Sequence, residues 1–330
     1  MVFCQNIGLD NSFQIWENKT ILIVKVVIFM FIDIHTHASR YAEKFSRVAT
    51  AEELIAEFDK REIAMGVVMP MVSPEVYATQ SNEDILYICE KYPDRLIPFC
   101  NIDPRYGSNT SRTDFTPVLQ YYKDRGCKGI GEVMPKMEIA DPKMQNFLYH
   151  AAKVGLSVTF DGSPQKDVGF GVYDDPGLPQ LEMTLISFPE LIVFAHGPLF
   201  WSELVKLDTI GQRGYFYTVN GNHVGNMTTA PVEGEGALYK LFRKYPNLYG
   251  DLSDGTPAIV MRRDKAFAGR FMTEFQDRLF FGTDIFFKGH PSTNHLFMYE
   301  MRDEGHISQE VFDKIAYKNA EKFLGVKISK

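Results

Sequence analysis

Apolar runs of strand length alternate with longer stretches of helical periodicity along most of this chain. Runs rich in Val, Ile, Leu and Phe predict eight β-strands, at 31–34, 66–69, 96–99, 128–131, 157–160, 191–195, 248–250 and 279–281. Continuous apolar runs of this length are typical of parallel strands buried on both faces. Eight consecutive βα units predict an α/β fold, a single-domain (β/α)₈ TIM barrel. The absence of a GxGxxG motif after the first strand argues against a doubly wound sheet.

Local signals mark where several helices begin. Thr50 and Glu53 form a capping box, and Asp141 followed by Pro142 supplies an N-cap and a first-turn proline. Ser308 is placed to cap the last helix. These signals agree with the helices that the periodicity predicts between the strands.

The connections between elements fall into two kinds. Helix-to-strand junctions repeat an aromatic residue, a short polar turn and a leucine, at 92–96, 188–191, 245–248 and 275–279. Three of the four contain proline, which ends a helix because it lacks an N–H and clashes with the preceding turn. Two long connections, 162–179 and 211–235, are rich in Gly, Pro and Asp, and we interpret them as active-site or interface loops.

The first 29 residues do not fit the barrel pattern. The segment 21–32 is apolar except for Lys25, but it is shorter than the roughly 20 residues of a spanning helix. The residues before it carry two acidic side chains against one lysine, unlike the basic start of a secretory signal. We therefore expect residues 1–29 to be an N-terminal extension, with Met30 as a candidate natural start, and residues 30–330 to form the barrel domain.

Composition narrows the class of protein. The chain has 330 residues, is 45% hydrophobic and contains 26 Phe and 16 Tyr, which excludes a disordered chain. Its net charge of −7 disfavours binding to nucleic acid or to anionic membranes. Its four cysteines include no CxxC pair and are too sparse for a disulfide framework, which indicates a reducing, cytoplasmic setting.

Side chains that bind metals or move protons follow almost every predicted strand. In chain order they are His35 and His37, Asn101 and Asp103, Glu132, Asp161, His196, Asp251 and Asp284. The carboxyl ends of barrel strands meet at one mouth, where active sites lie. The i, i+2 spacing of His35 and His37 places both imidazoles on one face of the strand. A mononuclear or dinuclear metal site is therefore predicted at this mouth.

Each candidate also has a purely structural interpretation. Asp284 can cap the segment after the last strand, and Glu132 can pair with a neighbouring lysine. His196 can bind a loop carbonyl, and Asp161 can form a turn with Gly162. Position favours a functional role for Asp284 and His196, whereas both interpretations stay open for Glu132 and Asp161.

Together these motifs resemble the amidohydrolase superfamily, in its amidohydrolase-2 branch of proteins similar to aminocarboxymuconate-semialdehyde decarboxylase. The motifs are DIHTH at 33–37, GE at 131–132, AHG at 195–197, LYGDLS at 248–253, FGTD at 281–284 and NAEKFLG at 319–325. The resemblance covers residues 30–325. It implies a distorted (β/α)₈ barrel and a divalent metal, and it also implies the possibility of a homodimer.

The resemblance assigns roles to particular residues. It implies that His35 and His37 bind the metal, usually zinc, and that Asp284 is both ligand and proton shuttle. His196 matches the strand-six histidine of the family. The family usually has a metal-binding histidine at the end of strand five, where this chain has Asp161. The ligand set would then include Glu132 or Asp161, and oxygen ligands shift the preference from Zn²⁺ toward Mn²⁺. We expect one divalent metal, and the presence of a second stays open.

Three functions follow as hypotheses. The leading one is hydrolysis, in which metal-activated water attacks the carbonyl of an amide, ester or lactone while Asp284 transfers the proton. His196 would orient the substrate oxygen or stabilise developing negative charge. The alternative is metal-dependent nonoxidative decarboxylation of an aromatic or unsaturated acid, with Asp284 protonating carbon. The third is a catalytically degenerate barrel that serves as a binding subunit, with the change to Asp161 as its signature.

Basic residues near the strand ends bear on the substrate. They are Arg40, Arg105, Lys136 and Lys288, together with His223 and His290 on loops over the mouth. Their charge favours a small molecule that carries an anionic group. Among them, we predict that Arg105, Lys288 and His290 contact the substrate.

Overall fold

The computed structural model describes residues 12–17, 20–25, 30–41, 47–76, 80–167, 171–219, 222–227 and 231–328. For 12–17, 20–25, 210, 214–219 and 222–227 the description covers the backbone alone. The N-terminal extension predicted for 1–29 therefore lies partly outside the described residues. That extension and its boundary at Met30 stay predictions.

Strands and helices alternate along the described chain. The strands are β1 (Ser12–Glu17), β2 (Thr20–Lys25), β3 (Phe31–Thr36), β4 (Ile63–Val68), β5 (Leu96–Pro98), β6 (Gly129–Val133), β7 (Ser157–Asp161), β8 (Val193–His196), β9 (Arg213–Val219), β10 (Asn222–Met227), β11 (Leu248–Asp251) and β12 (Leu279–Phe280). The helices are α1 (Ala51–Lys60), α2 (Asn82–Lys91), α3 (Thr116–Asp124), α4 (Pro142–Val154), α5 (Pro179–Ser187), α6 (Pro198–Ser202), α7 (Ala237–Lys244), α8 (Thr256–Arg262), α9 (Lys265–Glu274), α10 (Asn294–Asp303), α11 (Gln309–Asp313) and α12 (Asn319–Leu324). A 3₁₀ turn covers Ile210–Gln212, and a π-helical turn, Lys314–Lys318, joins α11 to α12.

Eight parallel strands form the barrel. One sheet has the order β3-β4-β5, and the other has the order β6-β7-β8-β11-β12. Backbone hydrogen bonds connect the two sheets at both edges: Cys100 N donates to Gly129 O at 3.0 Å, and Ile34 N donates to Phe281 O at 3.0 Å. The predicted (β/α)₈ fold is confirmed. Interrupted register between β3 and β4 and between β6 and β7 distorts the ring.

All eight barrel strands lie where the sequence predicts them, with shifts at their ends. β6, β7, β8 and β11 include at their carboxyl ends Glu132, Asp161, His196 and Asp251, which the sequence placed just after the strands. The predicted strands end before these polar residues because the strands were recognised by continuous runs of apolar residues. Their backbones nevertheless continue the strands, so the barrel itself positions their side chains.

The helix boundaries follow the predicted signals. Thr50 Oγ1 accepts from Glu53 N at 3.3 Å, and Glu53 Oε2 accepts from Thr50 N at 3.2 Å, which completes the capping box of α1. Asp141 caps α4, and Ser308 Oγ accepts from Val311 N at 3.2 Å to cap α11. These bonds satisfy N–H groups that have no partner within the helix.

The four predicted helix-to-strand junctions share one turn. In each, the carbonyl of the aromatic residue that ends the helix accepts a backbone N–H from a residue three or four positions later; the aromatic residues are Tyr92, Phe188, Tyr245 and Phe275. In three of the four junctions the leucine is the first residue of its strand, whereas Leu191 lies two residues before β8. Three of these junctions enter β5, β11 and β12, and the fourth precedes β8 directly.

The connection 211–235 differs from the predicted loop. It contains an antiparallel hairpin in which β9 pairs with β10. The sequence signal for it was an Asn-Gly pair at 220–221 between two runs of strand-forming residues, a dipeptide that favours two-residue hairpin turns. β1 and β2 form a second antiparallel hairpin before the barrel.

The apolar core lies between the barrel strands and the surrounding helices. Phe194 on β8 contacts the rings of Tyr249, Phe280 and Phe323, so β8, β11, β12 and α12 pack around it. Among the described residues, no helix is both long enough and apolar enough to cross a membrane.

Candidate metal centre

The polar side chains at the carboxyl ends of the barrel strands converge at one mouth. This set comprises His35, His37, Glu132, Asp161, His196, Asp251 and Asp284. All are buried except Asp284, whose side chain is 27% exposed. Asp284 has a φ of 57°, in the left-handed region that Asp adopts more readily than most residues. It is thus the most accessible member of the group.

The two histidines of the first barrel strand present the same nitrogen to the mouth. His35 Nε2 and His37 Nε2 lie 3.1 Å apart. His35 Nδ1 lies 2.6 Å from Asp251 Oδ2, and His37 Nδ1 lies 3.0 Å from Met69 O. These partners favour a proton on each Nδ1, which leaves both Nε2 lone pairs directed at the same point.

Two carboxylates face these nitrogens. Glu132 Oε2 lies 3.4 Å from His37 Nε2 and 3.7 Å from His35 Nε2. Asp284 Oδ1 lies 3.3 Å from His37 Nε2 and 3.7 Å from His35 Nε2. Ligands bound at 2.0–2.2 Å in a tetrahedral site lie about 3.3–3.6 Å from one another. The spacing and the donor types of the two histidines with each carboxylate therefore fit ligands of a divalent metal.

Asp161 and His196 lie on the other side of Glu132. His196 Nε2 is 3.3 Å from Glu132 Oε1, the oxygen that does not face His35 and His37. One ligand atom each from Glu132, Asp161 and His196 falls within 4.8 Å of the others, and Glu132 completes the equivalent group with His35 and His37. Of the two carboxylates left open by the sequence, Glu132 is thus the one placed beside the histidine pair.

The sequence identified Asp251 only as a candidate at a strand end, and it gave no role to Asp33. Asp251 Oδ2 contacts His35 Nδ1 and also lies 3.4 Å from His196 Nδ1, so one carboxylate orients two imidazoles. Asp33 Oδ1 accepts from His35 N and from Thr283 N, both at 3.0 Å, which fixes β3 against the segment that carries Asp284. In the sequence, the position of Asp251 at the end of a strand and that of Asp33 beside the histidines are the features that could have pointed to these roles.

The protonation of the histidines reflects the surrounding carboxylates. Burial and the nearby His196 oppose protonation of His35, but Asp251 and Glu132 outweigh them and raise its pKa to about 10. Burial likewise opposes protonation of His37 and His196, and neighbouring carboxylates raise the pKa of each. A cation bound by these histidines would therefore have to displace their protons.

The carboxylates divide into two groups. Burial works to raise the pKa of Glu132 and Asp284, but the histidines lower it in both, so they are anionic at neutral pH. Burial and the proximity of Glu132 raise the pKa of Asp161. Asp161 thus differs from Glu132 and Asp284, whose pKa the histidines lower.

The residues predicted to contact the substrate, Arg105, Lys288 and His290, lie in different surroundings. Arg105 is held by Glu75 and Asp103, with its guanidinium nitrogens 2.7 Å from an oxygen of each, beside a cavity of about 430 Å³. Lys288 is exposed, and its Nζ lies 3.3 Å from Glu53.

His290 differs from these cations because it is near the metal-site residues. Burial is the main cause that lowers its pKa, and among the charges that act on it are Asp284 and His37. Its buried Nδ1 has no hydrogen-bond partner in the described part of the chain. The side chain of His223 lies outside the described residues.

The fold and the centre together define a metal-dependent enzyme built on a (β/α)₈ barrel. The model of the amidohydrolase family matches residues 32–326. The chain therefore belongs to the amidohydrolase family. No curated protein sequence matches it.

Solved structures with the same fold include named enzymes. The chain is similar to 5-carboxyvanillate decarboxylase from Novosphingobium aromaticivorans in complex with manganese, with a TM-score of 0.57, 14% identity and coverage of 90% of this chain and 96% of that one. It is similar to 2,6-dihydroxybenzoate decarboxylase from Rhizobium, with a TM-score of 0.53, 13% identity and coverage of 90% and 99%. A probable 2-pyrone-4,6-dicarboxylic acid hydrolase from Acinetobacter baumannii gives a TM-score of 0.52, 16% identity and coverage of 90% and 100%.

Proposed function

We propose that this protein is a metal-dependent hydrolase that acts on the amide, ester or lactone carbonyl of a small substrate. His35, His37, Glu132 and Asp284 would hold one divalent cation, Zn²⁺ or Mn²⁺. A cation held there supplies Lewis-acid activation of water and of the substrate carbonyl. The observation that carries the proposal is the position of Asp284, which combines contact with both histidines and access to solvent.

Asp284 would act as the general base and then as the acid. Its pKa is lowered chiefly by His37, against the effect of burial, so the carboxylate is ionised and ready to accept a proton from the attacking water. Its exposed face allows it to pass that proton to the leaving group. A decarboxylase would need the opposite protonation state, because Asp284 would have to deliver a proton to carbon.

His196 and His290 would act on the substrate. Asp251 and Ser253 fix Nδ1 of His196, so Nε2 is directed into the mouth, where it can stabilise negative charge on the substrate oxygen. His290 would contact the substrate from the segment after Asp284. Arg105 and Lys288 would first have to leave their carboxylate partners, so we assign them a lesser part in binding.

The test is the loss of turnover in Asp284→Asn. Screening the Zn²⁺-loaded and Mn²⁺-loaded enzyme against amides, esters and lactones should identify a hydrolysed substrate. On that substrate the variant should lose about a thousandfold in kcat, because the general base is removed. Circular dichroism should show an unchanged fold. An unchanged rate, or a chain that is purified without chelator and takes up neither metal, would refute the proposal.

A second candidate is nonoxidative decarboxylation of an aromatic or unsaturated acid. Support for it comes from the similar structures, two of which are named decarboxylases. Carbon dioxide release from a carboxylated phenol, without hydrolysis of any ester or amide in the screen, would favour this reaction over hydrolysis.

A further inference from the structure

A cavity of about 430 Å³ lies between the start of α2, the segment that follows β5, and α3. Cavities of roughly 300–1,000 Å³ are the size that holds a small organic molecule. Its apolar wall is formed by Val72, Pro74, Ile102 and Val118. None of the described residues that line it belongs to the candidate metal centre, so the cavity is a separate place for a ligand.

One side of the cavity is fixed by two buried asparagines. Asn82 Nδ2 donates to Asn101 O at 2.9 Å, and Asn101 N donates to Asn82 Oδ1 at 2.8 Å. Asn101 Nδ2 also donates to Glu132 O at 2.5 Å, which ties this side to β6. A ligand that enters a rigid cavity does not have to order it first, so less of the binding free energy is lost.

The charge in the cavity is negative although an arginine lines it. Arg105 Nη1 donates to Glu75 Oε1 at 2.7 Å, and its Nε and Nη2 donate to Asp103 at 2.8 and 2.7 Å. Each guanidinium nitrogen therefore already serves a carboxylate. One cation held by two carboxylates leaves a formal charge of about −1 on the group, which disfavours an anionic ligand.

Asp103 retains capacity to accept a further hydrogen bond. Its Oδ1 accepts from both N and Nε of Arg105, whereas its Oδ2 accepts only from Nη2 among the described donors. A carboxylate oxygen has two lone pairs, so Oδ2 can accept from one more donor. The side chain of Asp103 is 11% exposed, and an interaction with a charged donor is stronger at such a site than in open solvent.

Aromatic residues complete a surface suited to an organic cation. Tyr106 and Tyr122 both line the cavity, Tyr106 being exposed and Tyr122 half-buried. The face of a tyrosine ring attracts an ammonium group, and aromatic residues beside a carboxylate are a common means of recognising one. Glu83 also lines the cavity, and Arg125 at 2.9 Å balances its charge.

We propose that this cavity binds a small primary amine in its ammonium form. The ammonium group donates to Asp103, and the apolar or aromatic body of the amine packs against Val72 and Val118. This inference goes beyond the proposed function and does not depend on it, because no residue of the metal centre takes part.

Isothermal titration calorimetry of the full chain tests the inference, with phenethylamine as the probe and 3-phenylpropionate as an anion of similar shape. EDTA is present throughout, so that the amine cannot bind through a metal. We expect the wild type to bind one phenethylamine per chain and to bind no 3-phenylpropionate. Added sodium chloride should weaken the binding of the amine, because salt screens the attraction between charges.

Two substitutions locate the binding in the cavity. Val118→Phe fills part of the space and should abolish binding of phenethylamine. Asp103→Asn removes the negative charge and should raise the dissociation constant about tenfold, the equivalent of one hydrogen bond to a charged group. Circular dichroism checks that both variants are folded.

Matched controls carry the same changes outside the cavity. Ile259→Phe alters an exposed apolar residue of α8, and Asp59→Asn alters a carboxylate whose Oδ1 lies 2.7 Å from Arg95. Both should bind phenethylamine like the wild type. No binding of the amine by the wild type, equal binding of 3-phenylpropionate, or an unchanged dissociation constant in both cavity variants would each overturn the inference and leave the proposed function untouched.

Discussion

Asp251 lies beside two histidines of the centre. Its carboxylate contacts Nδ1 of both His35 and His196, and partners of this kind set the ring orientation and the tautomer of metal-binding histidines. Asp251 contacts no substrate in this scheme. It is a positioning residue that acts through the two imidazoles.

Replacing Asp251 should weaken metal binding without removing a ligand. We expect Asp251→Asn to raise the dissociation constant for Zn²⁺ or Mn²⁺ by about 10- to 100-fold, measured by competition with a chromophoric chelator. Asp174→Asn is the control. Asp174 is a buried carboxylate that accepts from Gln180 N and Leu181 N at the start of α5, so this variant should leave the dissociation constant for the metal unchanged. Equal affinity in Asp251→Asn and the wild type would show that the histidines are oriented by the strand alone.

The residues of the centre were predictable to different degrees. His35 and His37 were found because their spacing is a local property of one strand. The partner of His35 was not, because Asp251 lies 216 positions away in sequence and comes close only when the barrel forms. The choice between Glu132 and Asp161 likewise depended on which strand end faces the histidines, a distance that no local pattern contains.

At the scale of elements, α1 is connected to the segment that follows Asp284. Glu57 on α1 accepts from Arg61 Nη1 at 2.6 Å and from Gly289 N at 3.1 Å. Arg61 in turn donates to His290 O at 2.6 Å. This largely buried ion pair therefore holds the backbone of His290 in place.

The pairing of Glu57 should make stability depend on pH. Burial opposes ionisation of Glu57, but donation from Lys60, Arg61 and Gly289 N lowers its pKa from 4.5 to about 2. A lowered pKa stabilises the folded state above pH 4.5, and the contribution is lost as the pH falls toward 2. Glu57→Gln should reduce the free energy of unfolding by about 2 kcal/mol at pH 7, and by less at pH 3.

Urea unfolding at both pH values checks this. Glu52→Gln on the same helix is the control, because Glu52 is 57% exposed in its pair with Lys91 and such pairs contribute little. If Glu57→Gln lowers the free energy of unfolding by the same amount at pH 7 and at pH 3, the lowered pKa of Glu57 does not stabilise the fold.

Elements with strong local signals were predicted well, and those with mixed signals were not. The capping box of α1 and the aromatic turns before the strands are determined by a few adjacent residues, so their positions followed from the sequence. The hairpin of β9 and β10 was interpreted as a loop because its glycines and polar residues obscured the alternation of a strand. Half-polar strands outside the barrel lack the continuous apolarity that identified the others.

At the scale of the whole molecule, a bound metal would join distant parts of the chain. His35 and His37 belong to β3, Glu132 to β6, and Asp284 follows β12, so the proposed ligands span both sheets that make up the ring. An ion that binds the folded state alone stabilises it by an amount that grows with its concentration over the dissociation constant.

Removing the metal should therefore lower the thermal stability of the protein. We expect EDTA to lower Tm by a few degrees, because saturation at 100 times the dissociation constant contributes about 2.7 kcal/mol. Differential scanning calorimetry measures the shift, and excess Mn²⁺ should reverse it. A variant with both His35→Ala and His37→Ala should show no response to EDTA, and an equal response would place the stabilising ion elsewhere.

The hydrogen bond between Asp33 and Thr283 has a consequence for how the protein matures. Asp33 and Thr283, which hold β3 against the segment carrying Asp284, are separated by 250 positions in the chain. During synthesis, β3 leaves the ribosome long before its neighbour on that side exists. The two imidazoles of β3 can therefore meet Asp284 only after the chain has been synthesised beyond that residue, so the centre forms late in synthesis.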